Sequence, residues 1–178
     1  MHSRSRGFTL AEILTVCAVL GIAAVIAIPT AAPVAETRAD TAAGEVVQAL
    51  RFAREEAMRT GAYRMLGCDT VRNSLSVYIP DANGAVTTLV AHPLTKMDYT
   101  VVLSQAPAGG NAALSACSFQ FEKDILTTVA FDGDGNPVRG TGDAKKQVKP
   151  LAAGTIRLGI GTVTRTISVD ATGRVTAS

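Results

Sequence analysis

The sequence predicts an α+β fold: one long N-terminal helix followed by an antiparallel, β-sandwich-like domain. Three observations lead to this prediction. Residues 8–28 are apolar except for Glu12, apolar residues recur at helical spacing up to residue 60, and period-two alternation with turn residues begins after residue 61. The total of 178 residues suits one compact domain and is too short for two large ones.

The apolar run over residues 8–28 is long enough to cross a membrane. At 1.5 Å per residue it spans ~30 Å, which is the thickness of the bilayer hydrocarbon. Arg4 and Arg6 precede it without an acidic residue, so we expect a cytoplasmic N-terminus and an extracytoplasmic remainder. Glu12 costs ~2.5–3.5 kcal/mol inside the bilayer unless it is paired, so we expect a partner for it.

Two other interpretations of this run were weighed. A cleaved secretory signal would use the small residues near position 31 as its cut site, but its apolar stretch is normally only ~7–15 residues. A plain membrane anchor would accept the length but would gain nothing from Glu12. Neither interpretation explains both the length of the apolar run and the presence of Glu12.

The second helical segment follows two prolines. Pro29 and Pro33 predict a kink or a short melted stretch, because each lacks an N–H and crowds the preceding turn. From residue 34 to residue 60 the helical period returns, with a small-residue stripe that we expect to be buried. Gly61 predicts the end of this helix. The stripe consists of Ala39, Ala43, Val46, Leu50, Ala53 and Ala57.

Short strands and turns alternate over the rest of the chain. We predict turns at residues 81–84, 107–111 and 132–137, where Gly, Asn and Pro supply the required backbone angles. The order of the strands in the sheet is left open by the sequence. The predicted strands cover residues 63–66, 75–79, 86–90, 100–103, 118–121, 128–131, 155–159, 164–169 and 174–177.

The cysteines agree with an extracytoplasmic domain. Cys68 and Cys117 follow the apolar segment and would lie in an oxidising compartment, which favours a disulfide between them. Two separately buried thiols are the alternative. Cys17 lies within the apolar helix, where we expect a small buried hydrophobe without a redox role.

Composition and motifs argue against an enzyme. His92 is the one histidine beyond the N-terminal basic segment, and it comes without a nucleophile elbow, a phosphate loop or a cluster of metal ligands. Asp132 to Asn136 has oxygens at calcium-loop spacing, but Pro137 stands where that loop needs glycine. We interpret this segment as a hairpin turn, and we predict no catalytic, metal or cofactor site.

The N-terminus resembles the class III leader of type IV pilins and type II secretion pseudopilins. The residues that carry the resemblance are Gly7-Phe8-Thr9-Leu10-Ala11-Glu12, the apolar run and Pro29. The resemblance implies that a prepilin peptidase in the inner membrane cuts after Gly7 and methylates Phe8. It also implies that Glu12 pairs with the ammonium of Phe8 in an adjacent subunit, so that Phe8 and Glu12 direct assembly.

Three internal segments narrow the resemblance to the GspH/FimT family of minor pseudopilins and minor pilins. They are residues 50–57, 131–135 and 167–175. The family implies a pilin-like fold without an active site or cofactor, assembled with other pilins into a periplasmic filament, at its tip or initiation point. The implied segments are a leader (1–7), a transmembrane and filament-core helix (8–28), a periplasmic amphipathic helix (29–60) and a β-rich domain (61–178).

A DNA-binding minor pilin of a natural-transformation pilus is the alternative. The whole chain has a net charge of only +2, but residues 139–178 hold seven basic against two acidic residues. FimT-like members carry a C-terminal Gly-Arg-x-Arg motif associated with DNA capture, and here Thr176 replaces the second arginine, so DNA binding is not favoured. The residues that could contact DNA are Lys145, Lys146, Lys149, Arg165 and Arg174.

Overall fold

A computed structural model describes residues 9–27, 31–105 and 110–178. The chain divides into two compact units, Met1–Val34 and Ala35–Ser178. The first unit contains α1 (Leu10–Ala27) and the start of α2 (Ala31–Thr60). The second contains the rest of α2, a short helix α3 (Ala144–Gln147) and all of the strands.

Helix α2 begins earlier than the sequence predicts. Its first residue is Ala31, so Pro33 lies in the first turn and does not interrupt the helix. A proline is tolerated there because the N–H groups of the first turn have no partner within the helix. The prediction that the break extends to Pro33 is therefore wrong, whereas Pro29 lies outside the described residues.

The buried face of α2 is the predicted stripe. All six of its residues, from Ala39 to Ala57, are at most 3% exposed, and Ala42 and Ala49 extend the same face. Small side chains allow the helix backbone to approach the sheets closely. The helix ends as predicted before Gly61, whose φ is 62°, and the Ala62 N–H donates to the Ala57 carbonyl at 3.3 Å.

Eleven strands follow within the described residues. The predicted strands are confirmed as elements, and β5 begins five residues earlier than expected. Strands β6 and β8 and helix α3 were not predicted. The bounds are β1 (Arg64–Asp69), β2 (Ser74–Pro80), β3 (Val86–Leu89), β4 (Thr100–Val102), β5 (Ala113–Phe121), β6 (Asp124–Leu126), β7 (Thr128–Phe131), β8 (Pro137–Val138), β9 (Ala153–Ile160), β10 (Val163–Val169) and β11 (Val175–Ala177).

The strands form two antiparallel sheets. The first has the order β3-β2-β1-β7-β8, with β4 also paired to β2, and the second has the order β11-β10-β9-β5-β6. One apolar core is shared by α2 and both sheets, with Leu66 from the first sheet and Phe119 and Ile156 from the second, all fully buried. The predicted α+β architecture with a sandwich-like β-domain is confirmed.

Three turns share one local structure. Each has the pattern aspartate, two variable residues, glycine and one further residue, at residues 81–85, 132–136 and 170–174. In each, the aspartate carboxylate accepts the N–H groups of the third and fifth residues at 2.8–3.0 Å. The three glycines have φ between 78° and 83°, which only glycine adopts without strain.

These turns close hairpins. The turn at 132–136 joins β7 to β8, which confirms its interpretation as a hairpin turn, and the turn at 170–174 joins β10 to β11. The predicted turn at 81–84 is also confirmed, since it joins β2 to β3. The predicted turn at 107–111 includes residues 107–109, which lie outside the described part.

Candidate functional site

Glu12 caps the helix in which it lies. Thr9 precedes α1, and its N–H and Oγ1 both donate to Glu12 Oε2 at 3.1 Å. In return the Glu12 N–H donates to Thr9 Oγ1 at 3.3 Å. This reciprocal pair is a capping box, which satisfies N–H groups that the helix start would leave unpaired. The pattern Thr-x-x-Glu signals such a box in the sequence, and our sequence analysis missed it.

The side chains of α1 present an apolar surface. Leu10, Leu14 and Val19 are each more than 60% exposed, and Ile13 and Val16 are 55% exposed. Cys17 is a free thiol and is exposed, so the expectation that it is buried is not met in this chain. Within residues 9–27, 31–105 and 110–178, no helix combines the length and hydropathy needed for a membrane span. Gly7 and Phe8 lie outside the described residues.

The predicted disulfide is present. Cys68 at the end of β1 and Cys117 in β5 are bonded, with their Cα atoms 6.3 Å apart. The bond therefore links the first sheet to the second. Its loop encloses β2, β3 and β4. The alternative of two separate buried thiols is wrong.

Three of the five basic residues considered for DNA contact are engaged in ion pairs. Arg165 on β10 donates from Nε to Asp40 Oδ1 on α2 at 2.5 Å, and this contact raises the pKa of Arg165. Lys149 pairs with Glu122, and Lys146 Nζ lies 3.7 Å from Asp143 Oδ2. These charges are partly neutralised within the chain.

The side chains of Lys145 and Arg174 form no ion pair or hydrogen bond with the described residues, although the charge of Arg174 helps to lower the pKa of Asp170. Lys145 is exposed on α3, whereas Arg174 is exposed in the turn between β10 and β11. Arg174 and Arg165 are separated along β10 by about 17 Å, at 3.4 Å per residue. The five basic residues therefore do not form one compact patch.

Arg54 joins the three segments on which the family resemblance depends. It lies on α2, its Nε donates to the Gly135 carbonyl at 2.9 Å, and its Nη1 donates to the Gly173 carbonyl at 3.4 Å. Gly135 and Gly173 belong to two of the repeated turns, and a Cβ at either glycine would lie 3.1–3.4 Å from the Arg54 guanidinium. The half-buried guanidinium of Arg54 thus links α2 to two hairpins through hydrogen bonds. Our sequence analysis missed this role.

We expect Arg54→Ala to lower the free energy of unfolding by about 2 kcal/mol. Two carbonyls lose a charged donor, and hydrogen bonds to charged groups contribute about 1.5–3 kcal/mol. Lysine cannot replace the planar fork of the guanidinium, so Arg54→Lys should recover less than half of the loss. Urea unfolding followed by circular dichroism measures the change. The exposed Arg51 on the same helix is the control, and a loss for Arg51→Ala as large as that for Arg54→Ala would contradict the assignment.

Two family profiles match this chain. The prokaryotic N-terminal methylation motif matches residues 2–28. The type II transport protein GspH profile matches residues 42–173, which is most of the β-domain and the second half of α2. The chain belongs to the GspH family. No curated sequence is similar enough to this GspH-family chain to count as a relative.

A solved structure shares the fold of this GspH-family chain. The minor pseudopilin EpsH from the type 2 secretion system of Vibrio cholerae is 14% identical, with a TM-score of 0.51, over 79% of this chain and 96% of that one. The type IV minor pilin FimU of Pseudomonas aeruginosa PAO1 is 18% identical, with a TM-score of 0.49, over 79% of this chain and 87% of that one. The likeness to EpsH confirms the predicted pilin-like fold, and the family match places the chain among the GspH proteins of type II transport.

Proposed function

We propose that this GspH-family chain is a filament subunit that a prepilin peptidase cleaves after Gly7 and methylates at Phe8. The observation that carries the proposal is the exposed apolar helix α1, with Glu12 as its only charged residue. Helices of this kind bury their apolar surface against one another, and the buried carboxylate then needs a cation. The ammonium of Phe8 in a neighbouring subunit supplies it.

The proposed topology follows from the same segment. The basic residues before Gly7 hold the N-terminus in the cytoplasm, residues 8–28 lie in the inner membrane, and the β-domain lies in the periplasm. From there the subunit enters a periplasmic pseudopilus or a pilus, at its tip or initiation point. We favour an H-like pseudopilin of type II secretion.

The mature N-terminus tests this proposal. Chain recovered from cells should begin with N-methylated Phe8, as read by N-terminal sequencing and intact-mass measurement. Gly7→Val should leave the uncleaved precursor. A mature chain that starts near residue 32 would instead identify a cleaved secretory signal, and the filament proposal would be abandoned.

DNA binding is the second candidate, supported by the exposed guanidinium of Arg174, which forms no ion pair within the described residues and belongs to the half-present family motif. If it holds, the purified chain should shift a DNA duplex at low salt, with the affinity falling steeply as salt is added. Arg174→Ala should weaken the shift, whereas Arg72→Ala, in the turn after β1, should not. Equal effects of both variants, or no shift at low salt, would remove this candidate.

A further inference from the structure

A cleft of about 440 Å³ lies between α2 and β4, within the unit Ala35–Ser178. Glu45 and Gln48 line it from α2, and Thr100 to Val102 line it from the sheet. His92 and Tyr99 form part of its wall. The Tyr99 ring stacks on Phe52 with 4.6 Å between centroids and lies 4.8 Å from the His92 ring. The cleft thus combines a helix face, a strand and an aromatic surface.

The acidic side chains of the cleft have no cationic partner within the part of the chain that the structure describes. Glu45 is half-buried, and burial raises the pKa of its carboxyl. No ion pair among the described residues involves Glu45 or the second acid of the cleft, Asp98. A partly desolvated carboxylate without a partner is costly. A basic side chain placed in the cleft would meet that carboxylate, and a charge-assisted hydrogen bond between them would offset the cost.

Strand β4 has an unused edge on the side away from β2. Val101 lies opposite Leu75. The Val77 N–H donates to the Tyr99 carbonyl and the Leu103 N–H donates to the Asn73 carbonyl. Residues 99, 101 and 103 thus direct their backbone polar groups toward β2. The polar backbone groups of Thr100 and Val102 therefore point outward.

Two of those outward groups make no hydrogen bond to any residue that the structure describes. The Thr100 N–H donates to the Asp98 carbonyl at 2.8 Å, and the Val102 carbonyl accepts from Gln105 at 2.9 Å. The Thr100 carbonyl and the Val102 N–H have no partner among the described residues. They are the acceptor and the donor that an extended chain opposite Val101 would use.

We propose that this cleft binds an extended segment of a different polypeptide, which lies along β4 and pairs a lysine or arginine side chain with Glu45. The backbone of the segment bonds to Thr100 and Val102, and its basic side chain reaches Glu45 through the cleft. A second copy of this chain is a poor occupant. Within the part of the chain that the structure describes, the basic residues without an ion pair lie in helices, in turns or, for Arg157, in a strand already paired on both sides.

Peptide titration tests the proposal. The probe is a fluorescent nonapeptide of alternating threonine and valine with a central lysine, and the matched probe has norleucine at the centre. Both are titrated into the full-length chain in detergent and followed by anisotropy. We expect saturable binding of the lysine peptide and at least about tenfold weaker binding of the norleucine peptide, because a charge-assisted bond is lost.

Two variants test whether Glu45 is responsible for the preference for the lysine peptide. Glu45→Gln should abolish the preference for lysine, whereas Glu55→Gln, which removes an exposed acid from the same helix, should keep it. N-methylation of the peptide amide that meets the Thr100 carbonyl should weaken binding to the parent chain. Melting temperatures establish that both variants are folded. The assay uses no filament, so its outcome is independent of the assembly proposed above.

Three results would overturn the proposal. The lysine and norleucine peptides could bind equally or not at all. Glu45→Gln and Glu55→Gln could reduce binding to the same extent, which would indicate a general charge effect. Sedimentation could show self-association of the chain that Glu45→Gln abolishes, which would make a second copy the occupant.

Discussion

Replacing Glu12 by glutamine is expected to remove the subunit from filaments almost completely while leaving α1 intact. Glutamine can still accept the capping bond from the Thr9 N–H, since it serves in capping boxes as glutamate does. In the proposed assembly, glutamine cannot neutralise the ammonium of a neighbouring Phe8. Leaving one partner of a buried ion pair uncompensated costs about 3–5 kcal/mol, which corresponds to at least about a 100-fold loss of incorporation. Quantitative mass spectrometry of sheared filaments measures that fraction.

The matched control for this experiment is Thr9→Ala. It removes the N-cap, which contributes about 1 kcal/mol, and keeps the carboxylate. We expect incorporation to fall only a few-fold, provided that methylation of Phe8 is unchanged. If Thr9→Ala is as harmful as Glu12→Gln, then capping of α1 rather than charge pairing explains the role of Glu12. Normal incorporation of Glu12→Gln would rule out the charge pairing altogether.

Removal of the Cys68–Cys117 disulfide should lower the stability of the β-domain by ~4 kcal/mol. The two cysteines are 49 residues apart in sequence, and the chain-entropy model gives this value for a loop of that length. For a domain of this size, ~4 kcal/mol corresponds to a fall in Tm of about 8–16 °C. Differential scanning calorimetry of the Cys68→Ser, Cys117→Ser double variant measures it.

The third cysteine provides the control for the disulfide. Cys17 is exposed and unpaired on α1, so Cys17→Ser should leave Tm within about 1–2 °C, as surface substitutions usually do. Reduction of the parent chain should reproduce the fall seen in the double variant. A fall of less than about 3 °C for the double variant would show that the covalent link adds little to the packing between the sheets.

The features that the sequence predicts well are local ones. The buried stripe of α2 follows from helical spacing alone, and the turns at 81–84 and 132–137 follow from glycine and aspartate within five residues. The missed strands are short or atypical. Strand β8 has two residues and begins with Pro137, and β6 lies at an edge with Ile125 68% exposed. Such strands have no alternation to detect.

The features that the sequence does not predict depend on contacts between distant segments. Arg54 lies 81 and 119 residues from the carbonyls that it bonds, and nothing in the helix signals those contacts. The cleft likewise depends on the pairing of β4 with β2, because this pairing determines which backbone groups of β4 face away from the sheet. The pairing of Arg165 with Asp40 is also long-range, so charge counting alone overstates the free positive charge of the C-terminal segment.

The outward-facing leucine, isoleucine and valine side chains of α1 restrict where this polypeptide can exist. In water alone, such a surface promotes non-specific aggregation, because the hydration of each exposed aliphatic group costs free energy. On the proposed route from the inner membrane into a filament, this surface therefore needs apolar contacts at every stage.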